Sequence, residues 1–446
     1  MGAISSGLVL GPETLLHDVY KVLPAFACEV RQGSFIVGDP YYQPRATVDT
    51  STTLSDVEDF VAASLRRSIE AYCSGAARVG VFLSGGIDSA LLGTELARIE
   101  ENDGRGVSFG ASNWVDEEST AAARVARKLG LPFTQAQVDG SFDALAGLEQ
   151  AIWHIGEPTM FENAIALEVA AHAVAGDAGA LLTGEGGDDF FGAQNLIIAR
   201  WLPAAWKLPA GLRHGLASAL SSAPLDPLSR VGRYLGSDSL EHYLRGAQSW
   251  APGLVARAPD RGVQDRVARL EEDYRGLSSV GSLTVLLLIG YWYPWIERME
   301  QTSAAHGIDA LHPFQRDELL QFSLTVPDNL KMRRGGLVLK PALRNLVEQR
   351  LGTEEVRGAK KQLAAPFALW LRSSRTLRQA VLDLRRPSAR FREFLDPALA
   401  APYLDDFARN GPKDTATRRA VSMLLSFEIW LGQVLDGERP PASFDP

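Results

Sequence analysis

The sequence predicts an α/β fold with a parallel sheet, followed by a large helical C-terminal part. Three observations support this. Between residues 55 and 183, short apolar runs rich in β-branched residues alternate with segments whose apolar residues recur at helical spacing. Two of these runs end in glycine-rich segments, SGGIDS and GEGGDD. After Phe190, strand signals nearly vanish and Ala/Leu/Arg-rich segments follow. Such alternation indicates helices that cover both faces of a parallel sheet.

The elements are predicted in order along the chain. Residues 1–54 contain short strands and turns that are too few for a domain and should pack on later parts of the chain. Residues 55–200 form the α/β core, which begins with a helix after Ser55 and a strand in ARVGVFLS. Further helices are predicted at 90–99, 117–129 and 164–174, and strands near 106–110, 133–138 and 178–183. Residues 201–446 form the helical region.

Composition excludes several classes of protein. A chain of 446 residues with 46% hydrophobic and 22% charged residues is typical of a globular protein, and its net charge of −9 argues against nucleic-acid binding. Cys28 and Cys73 form no CxxC pair, which disfavours a disulfide framework or a thiolate zinc site and favours the cytoplasm. The longest apolar run, residues 283–295, is too short to cross a membrane and predicts a buried helix.

The SGGIDS loop, residues 84–89, follows a predicted strand and opens a helix. Glycines, exposed N–H groups, a helix N-terminus and serine hydroxyls together favour phosphate binding by Ser84, Gly85, Gly86 and Ser89. Asp88 would repel a phosphate unless a cation lay between them, which indicates Mg²⁺. The alternative is an ordinary Gly-Gly turn with a polar helix cap.

The GEGGDD segment, residues 184–189, follows the last predicted strand. It places Glu185, Asp188 and Asp189 among glycines at a strand end, where α/β sheets hold ligands. Carboxylates so close repel one another unless a metal or cation offsets their charge, and one of them could orient or deprotonate an amine. The alternative is a solvated acidic turn.

The two motifs together resemble a known family. SGGIDS resembles the SGGxDS signature of the PP-loop ATP pyrophosphatases, which have an adenine nucleotide alpha hydrolase-like fold and cleave ATP between its α and β phosphates. With GEGGDDFFG in addition, the chain resembles the asparagine synthetase family. AIWHIGEPT resembles that family's WHxDEP segment, with Gly156 where Asp is usual and Glu157 retained. SAAHGIDALHPFQRDELLQFSLTVPDNLKM also resembles the family, although Glu300 and Gln301 stand where Asp-Arg is usual, which leaves substrate specificity open.

The resemblance continues in GLVLKPALRNL and RGAKKQLAAPFALWL. It implies that Lys340 and Lys360 face the pyrophosphate and the adenylate, with Lys361 as a rival for the second role. A lysine ammonium suits the negative charge that develops on these groups.

The implied site also includes neighbours of the nucleotide and the metal. The resemblance implies that Asp88 holds Mg²⁺ with Glu157 or Asp188, and that Glu185 orients or deprotonates the amine. The residues expected to flank the nucleotide are Leu83, Val107, Ser108, Phe109 and Gly184.

Four other residues in these regions are assigned no role in the reaction. Lys331, Arg333 and Arg334 are expected at the surface or rim, because isolated basic residues are usually solvated. His154, beside Trp153, is expected to be a satisfied core histidine.

The resemblance implies an ATP-dependent ligase that adenylates a carboxylate and transfers the acyl group to an amine. Residues 12–44 resemble the junction after the family's glutaminase domain, so we expect that half to be lost. A specialised ligase is then favoured, similar to β-lactam synthetases and lasso-peptide cyclases. It would act on a small-molecule or peptide carboxylate and an amine donor, with a separate biosynthetic partner protein as a further option.

Three alternatives stay open. These are an ammonia-dependent asparagine synthetase, a tRNA-modifying PP-loop enzyme, and a catalytically silent nucleotide-binding subunit of a biosynthetic complex. The acidic balance and the GEGGDD segment count against the tRNA enzyme, and the intact motifs count against the silent subunit.

Overall fold

The computed structural model describes most of the chain: residues 14–32, 34–75, 78–99, 103–112, 117–159, 163–192, 196–197, 200, 204–221, 231–232, 235–236, 277–288, 293–356 and 366–441. The chain divides into two compact units. The sheet unit comprises Glu58–Glu185, Trp295–Gln315 and Leu343–Pro446, and the hairpin unit comprises Met1–Val57, Gly186–Pro294 and Arg316–Ala342. These units interleave along the sequence, whereas the segments 1–54, 55–200 and 201–446 are contiguous, so those segment bounds remain predictions.

The described elements are named in chain order. The strands are β1 (Cys28–Arg31), β2 (Ser34–Val37), β3 (Val79–Phe82), β4 (Gly106–Ala111), β5 (Phe133–Val138), β6 (Ala180–Leu182), β7 (Asp309–Leu311), β8 (Met332–Arg333) and β9 (Val338–Leu339). The helices are α1 (Leu54–Gly75), α2 (Ile87–Leu96), α3 (Glu117–Leu129), α4 (Ala144–Ile155), α5 (Asn163–Val174), α6 (Gly187–Phe191), α7 (Ala210–Ser221), α8 (Ser279–Leu287), α9 (Tyr293–Ala305), α10 (Asp317–Thr325), α11 (Asp328–Lys331), α12 (Pro341–Leu351), α13 (Phe367–Ser373), α14 (Arg375–Asp383), α15 (Pro397–Asn410) and α16 (Thr415–Leu435).

The sheet unit contains a five-stranded parallel sheet in the order β5-β4-β3-β6-β7. Helices α3 and α5 both pack against β4 and β5, while α2 packs against β3. Strand β3 is buried along its whole length, as expected for a central strand covered on both faces. The predicted α/β fold is therefore confirmed.

Two elements of the fold were not predicted. Strand signals nearly vanish after Phe190, but β7 lies beyond it and supplies an edge strand whose Asp309–Leu311 backbone pairs with β6. Three residues are too few to show a period in the sequence. Helix α4 was also not predicted, although Asp143 caps it by accepting hydrogen bonds from the N–H groups of Leu145 and Ala146.

The hairpin unit contains two antiparallel pairs, β1 with β2 and β8 with β9. As expected, the N-terminal segment packs on later residues: the Asp49 N–H donates to the Thr325 carbonyl at 2.8 Å. Within the run at 283–295, the residues inside α8, 283–287, are helical and buried, whereas Leu288, Tyr293 and Trp295 are partly exposed. Of the helices that the structure describes, none is both long and apolar enough to span a bilayer.

Candidate functional site

The site lies where the strand order of the parallel sheet reverses. From β3 the chain proceeds to β4 and β5 on one side, whereas β6 and β7 lie on the other side. The loops that leave β3 and β6 therefore meet at the carboxyl ends of two neighbouring strands, the place where open α/β sheets bind ligands. The SGGIDS loop leaves β3, and the GEGGDD segment begins two residues after β6.

The SGGIDS loop is closed by its own hydrogen bonds. The Ser89 hydroxyl accepts from the Ser84 N–H at 3.2 Å and donates to the Gly86 carbonyl at 3.1 Å. The two serine Oγ atoms lie 3.2 Å apart. Gly86 is the N-cap of α2, and it has no side chain with which to cap the first-turn N–H groups. These N–H groups and the helix dipole suit an anion, and phosphate binding at this loop stays a prediction.

Two glycines allow the close packing around this loop. Gly85 has a φ of +68°, and a Cβ placed there would lie 2.8 Å from the Ala121 Cβ and 2.8 Å from the Glu118 carbonyl oxygen. Gly184 packs so closely that a Cβ there would lie 3.0 Å from the Asp88 Cβ. Gly85 therefore favours glycine through both its conformation and its contacts, whereas a Cβ at Gly184 would require its neighbours to shift by a few tenths of an ångström. The structure thus brings the first residue of the GEGGDD segment against the SGGIDS loop.

Asp88 lies in the first turn of α2, and Arg344 of α12 is close enough for the charge of Asp88 to affect the pKa of its guanidinium. Burial lowers the pKa of the Arg344 guanidinium, and the Asp88 carboxylate opposes that change. An arginine beside the loop adds positive charge and planar donors that suit phosphate oxygens. No role for Arg344 was predicted from the sequence, although it stands in the LR pair of GLVLKPALRNL.

The end of β6 is joined to the end of β7 by side chains. The Oγ1 atom of Thr183 lies 2.6 Å from Nδ1 of His312, and Nε2 of that ring lies 3.6 Å from a carboxylate oxygen of Glu300. Burial lowers the pKa of His312 to about 4, so the ring is neutral at pH 7. Glu185 lies two residues beyond Thr183 and is partly exposed.

In the hairpin unit, Lys340 meets Asp188. The Lys340 ammonium lies 2.6 Å from the Asp188 carboxylate, and its side chain is 6% exposed whereas that of Asp188 is 29% exposed. Lys340 follows β9 with a φ of +54°, a left-handed backbone that costs a residue with a Cβ roughly 1–2 kcal/mol. Strain of this kind is typical of functional positions.

Lys331 is not at the surface, so that expectation is wrong. It is 2% exposed, and burial lowers its pKa to about 8 although the Asp328 charge opposes the change. Its carbonyl accepts the Lys340 N–H at 3.0 Å, so the two lysines pair directly beside the last pair of the β8-β9 hairpin, Met332 with Leu339. Arg333 and Arg334 are exposed, as expected.

The residues expected to flank the nucleotide lie deep in the sheet unit. Leu83 follows β3, is 1% exposed, and its N–H donates to the Val107 carbonyl at 2.8 Å. Val107, Ser108 and Phe109 are buried inside β4, and the Phe109 ring packs edge-on against Trp370 with 6.5 Å between centroids. Their contact with a nucleotide stays a prediction.

The predicted Mg²⁺ ligands are only partly organised. Within the part of the chain that the structure describes, Asp88, Glu157 and Asp188 are not members of a preassembled group of three metal-ligating side chains. Mg²⁺ takes one or two carboxylates and completes its shell with phosphate oxygens and water, so Asp88 at the phosphate loop fits this ion. Asp188 is paired with Lys340 instead. Lys360 and its rival Lys361 lie outside the described residues.

His154 is a satisfied residue, as expected, because its ring contacts Gln150 and Glu168. Glu168 is a buried carboxylate that was not predicted from the sequence. Its partner histidines lie on other elements, 14 and 138 residues away in sequence, so no helical spacing could have indicated their contact.

Similarity to known proteins agrees with this geometry. A family model for asparagine synthase matches residues 61–432. Putative glutamine-hydrolysing asparagine synthetases of Mycobacterium bovis and Mycobacterium tuberculosis are each 24% identical over 439 residues, covering 94% of this chain and 65% of theirs. The glutamine-hydrolysing asparagine synthetase 1 of Bacillus subtilis is 22% identical over 380 residues, covering 81% of this chain and 58% of its own length. The chain thus spans less than two thirds of the length of these relatives. Since the family match extends over most of its residues, the chain belongs to the asparagine synthase family.

Proposed function

We propose that this protein is an ATP-dependent carbon–nitrogen ligase that adenylates a carboxylate, releases pyrophosphate, and transfers the acyl group to an amine with release of AMP. One observation carries the proposal. The SGGIDS loop lies at the N-terminus of α2 at the sheet's reversal point, with Gly184 packed against Asp88. This arrangement offers N–H groups, hydroxyls and a carboxylate to one polyphosphate.

In the first step, the loop holds the phosphates. The Ser84 hydroxyl and the first-turn N–H groups of α2 donate to the pyrophosphate oxygens, while Ser89 keeps the loop closed. Mg²⁺, when bound by Asp88 with Glu157 or Asp188, would neutralise the charge that develops on the leaving pyrophosphate. Holding the substrate carboxylate in line with the α-phosphorus would supply much of the acceleration.

In the second step, acidic and basic side chains act on the acyl-adenylate. Glu185 is partly exposed at the end of β6 and orients or deprotonates the attacking amine. Lys340 and Lys360 stabilise the negative charge at the α-phosphate as AMP leaves. The pairing of Lys340 with Asp188 supports this role, because it holds the ammonium in one position.

We propose further that the acid is a small-molecule or peptide carboxylate of a specialised biosynthetic pathway. The departures from the family pattern at Gly156, Glu300 and Gln301 support a changed substrate. Glu300 is about half exposed, and burial followed by the charge of Glu297 raises its pKa. We propose that this residue affects which substrate charge is accepted. The amine comes from a substrate or from a separate partner protein.

The test is release of pyrophosphate and AMP from Mg-ATP with panels of carboxylic acids and amines. Wild-type protein is compared with Asp88→Asn, which keeps the shape of the side chain and removes its charge. Asp103→Asn serves as the matched control, because Asp103 is exposed in the same unit. We expect substrate-dependent pyrophosphate and AMP in the wild type and the control, and a loss of at least about 100-fold in Asp88→Asn.

Other outcomes would identify another function. Release with aspartate and ammonia alone would indicate an ammonia-dependent asparagine synthetase. Tight ATP binding without release for any pair would indicate a silent nucleotide-binding subunit and contradict the proposal.

A further inference from the structure

A second cluster of polar side chains lies in the sheet unit, outside the SGGIDS loop and the GEGGDD segment. His154 lies in the last turn of α4, Glu168 lies within α5, and His306 follows the end of α9. One ligand atom from each of these residues lies within 4.8 Å of the other two. Three separate chain segments thus converge on one point with two imidazoles and one carboxylate.

The two histidines approach opposite oxygens of the same carboxylate. Nδ1 of His154 lies 3.0 Å from Oε2 of Glu168, and Nε2 of His306 lies 2.6 Å from Oε1. The Glu168 side chain is 0% exposed, whereas those of His154 and His306 are 16% and 11% exposed. Both carboxylate oxygens of the buried Glu168 thus have an imidazole nitrogen within hydrogen-bond distance.

A carboxylate buried in a protein interior needs hydrogen-bond donors or a cation, because burial without either is costly. Hydrogen bonds from two imidazoles satisfy this need in the metal-free protein. The same atoms are also a ligand set for a cation. Two imidazole nitrogens and one carboxylate oxygen bind Zn²⁺ and related ions, whereas Mg²⁺ and Ca²⁺ prefer oxygen ligands alone.

We propose that His154, Glu168 and His306 form a binding site for a divalent transition-metal ion of the Zn²⁺ class. Nδ1 of His154, a carboxylate oxygen of Glu168 and Nε2 of His306 are the three protein ligands. Water completes the shell from the side where the two rings are partly exposed. The ion ties the end of α4 to α5 and to the segment that leaves α9.

The surroundings of His154 permit its role as a ligand. Metal binding requires the lone pair on Nδ1, so the ring proton must lie on Nε2. Nε2 lies 2.8 Å from the side-chain amide of Gln150. Rotation of that amide presents its oxygen as the acceptor, and such an outer hydrogen bond fixes the tautomer and orientation of a ligating histidine.

The site differs chemically from the predicted Mg²⁺ site at Asp88, so it can be tested alone. The full chain is freed of metal with EDTA and titrated with Zn²⁺ by calorimetry, and with Co²⁺ by visible absorption. We expect Zn²⁺ to bind at one saturable site and Co²⁺ to give an absorption spectrum typical of low coordination number. Titration with Mg²⁺ should give neither result. Asp88→Asn should leave both unchanged.

Substitution of the ligands gives the decisive comparison. Glu168→Gln keeps the shape of the side chain and removes the anionic ligand, and His306→Ala removes an imidazole. Each should weaken Zn²⁺ binding by at least about 10-fold, in line with losses seen when metal sites are perturbed. The matched control is His172→Ala, since the exposed His172 ring packs edge-on against His306 with 5.5 Å between centroids but supplies none of the three ligand atoms.

A melting curve with and without Zn²⁺ separates loss of the site from loss of the fold. At one fixed Zn²⁺ concentration, Zn²⁺ should raise the melting temperature of the wild type and of His172→Ala, and should raise that of Glu168→Gln less or not at all. If His306→Ala fails to fold, Glu168→Gln alone decides. No saturable binding to the wild type, or equal affinity in Glu168→Gln, would overturn the proposal and leave the cluster as a hydrogen-bonded network.

Discussion

The SGGIDS loop and the Lys340–Asp188 pair reach functional geometry in different ways. The loop is held by hydrogen bonds among Ser84, Gly86 and Ser89, which lie within six residues of one another. The pair joins a five-residue helix to the end of a hairpin from a distant part of the sequence. A local pattern can therefore specify the loop, whereas the ion pair depends on the tertiary fold.

The two regions also differ in the type of residue that adopts a left-handed backbone conformation. Gly85 adopts a φ of +68° at little steric cost, whereas Lys340 adopts a φ of +54° with a full side chain. The Lys340 N–H is tied to the Lys331 carbonyl, so the hairpin holds the residue in place. Strain that the surrounding structure maintains at a charged, buried residue is consistent with a role in the reaction.

The largest predicted effect is a loss of activity in Lys340→Met, which breaks the Lys340–Asp188 pair. This substitution keeps the length of the side chain and removes the ammonium that stabilises charge in the proposed reaction. We expect the rate of substrate-dependent pyrophosphate release to fall by about 10²–10³-fold, the loss typical for one preorganised electrostatic group. The measurement is the steady-state rate at saturating ATP.

The matched control is Lys207→Met, because Lys207 is exposed in the same unit. It should retain the wild-type rate. A Lys340→Met protein that folds and has the wild-type rate would show that the Lys340–Asp188 pair is only structural. The comparison with the SGGIDS loop would then concern the fold alone and not the reaction.

The sequence predicted the regular parts of the fold well, because local patterns determine them. The predicted helix at 117–129 and strand at 133–138 agree with α3 and β5, where apolar spacing and β-branched residues are clear. Strand β7 was missed because its three residues are defined by pairing with β6. Such pairing brings together distant segments and leaves no local period.

Like the fold, the candidate site was predictable where a local pattern in the sequence determines it. The SGGIDS loop has its predicted place between strand and helix. The burial of Lys331 and the convergence of His154, Glu168 and His306 were not predictable, because no local pattern distinguishes a buried charged residue from a solvated one. Burial of these groups follows from which distant elements pack over them.

The second predicted effect is a change in the free energy of unfolding when the buried Lys331 is replaced. Its pKa of about 8 in the folded protein lies below its ordinary value of 10.5 because burial disfavours the ammonium. The unfolded chain therefore binds more protons between these pH values, so this residue makes the fold less stable below pH 8 and the penalty disappears as pH rises to 10.5. Lys331→Met should raise the free energy of unfolding by up to about 3 kcal/mol at pH 7.

Urea unfolding at pH 7 and pH 10 measures this difference. The gap between Lys331→Met and the wild type should narrow at pH 10, whereas the exposed Lys207→Met should change stability little at either pH. A Lys331→Met protein that is less stable than the wild type at pH 7 would mean that the ammonium makes a favourable contact stronger than its cost of burial.

The third prediction is a difference between two alanine variants, which separates backbone strain from crowding at the SGGIDS loop. Gly85 and Gly130 have nearly equal φ values of +68° and +70°, but a Cβ at Gly130 would meet nothing within 4 Å, whereas one at Gly85 would lie 2.8 Å from the Ala121 Cβ. Alanine at either position carries the left-handed backbone cost of roughly 1–2 kcal/mol. Gly85→Ala should lower the free energy of unfolding by roughly 1–3 kcal/mol more, because its Cβ is overpacked. It should also weaken ATP binding because the loop must shift. Urea unfolding and ATP titration of both variants measure these effects. Equal losses in the two would indicate that backbone conformation alone requires Gly85, and that the close packing against α3 contributes nothing to the shape of the loop.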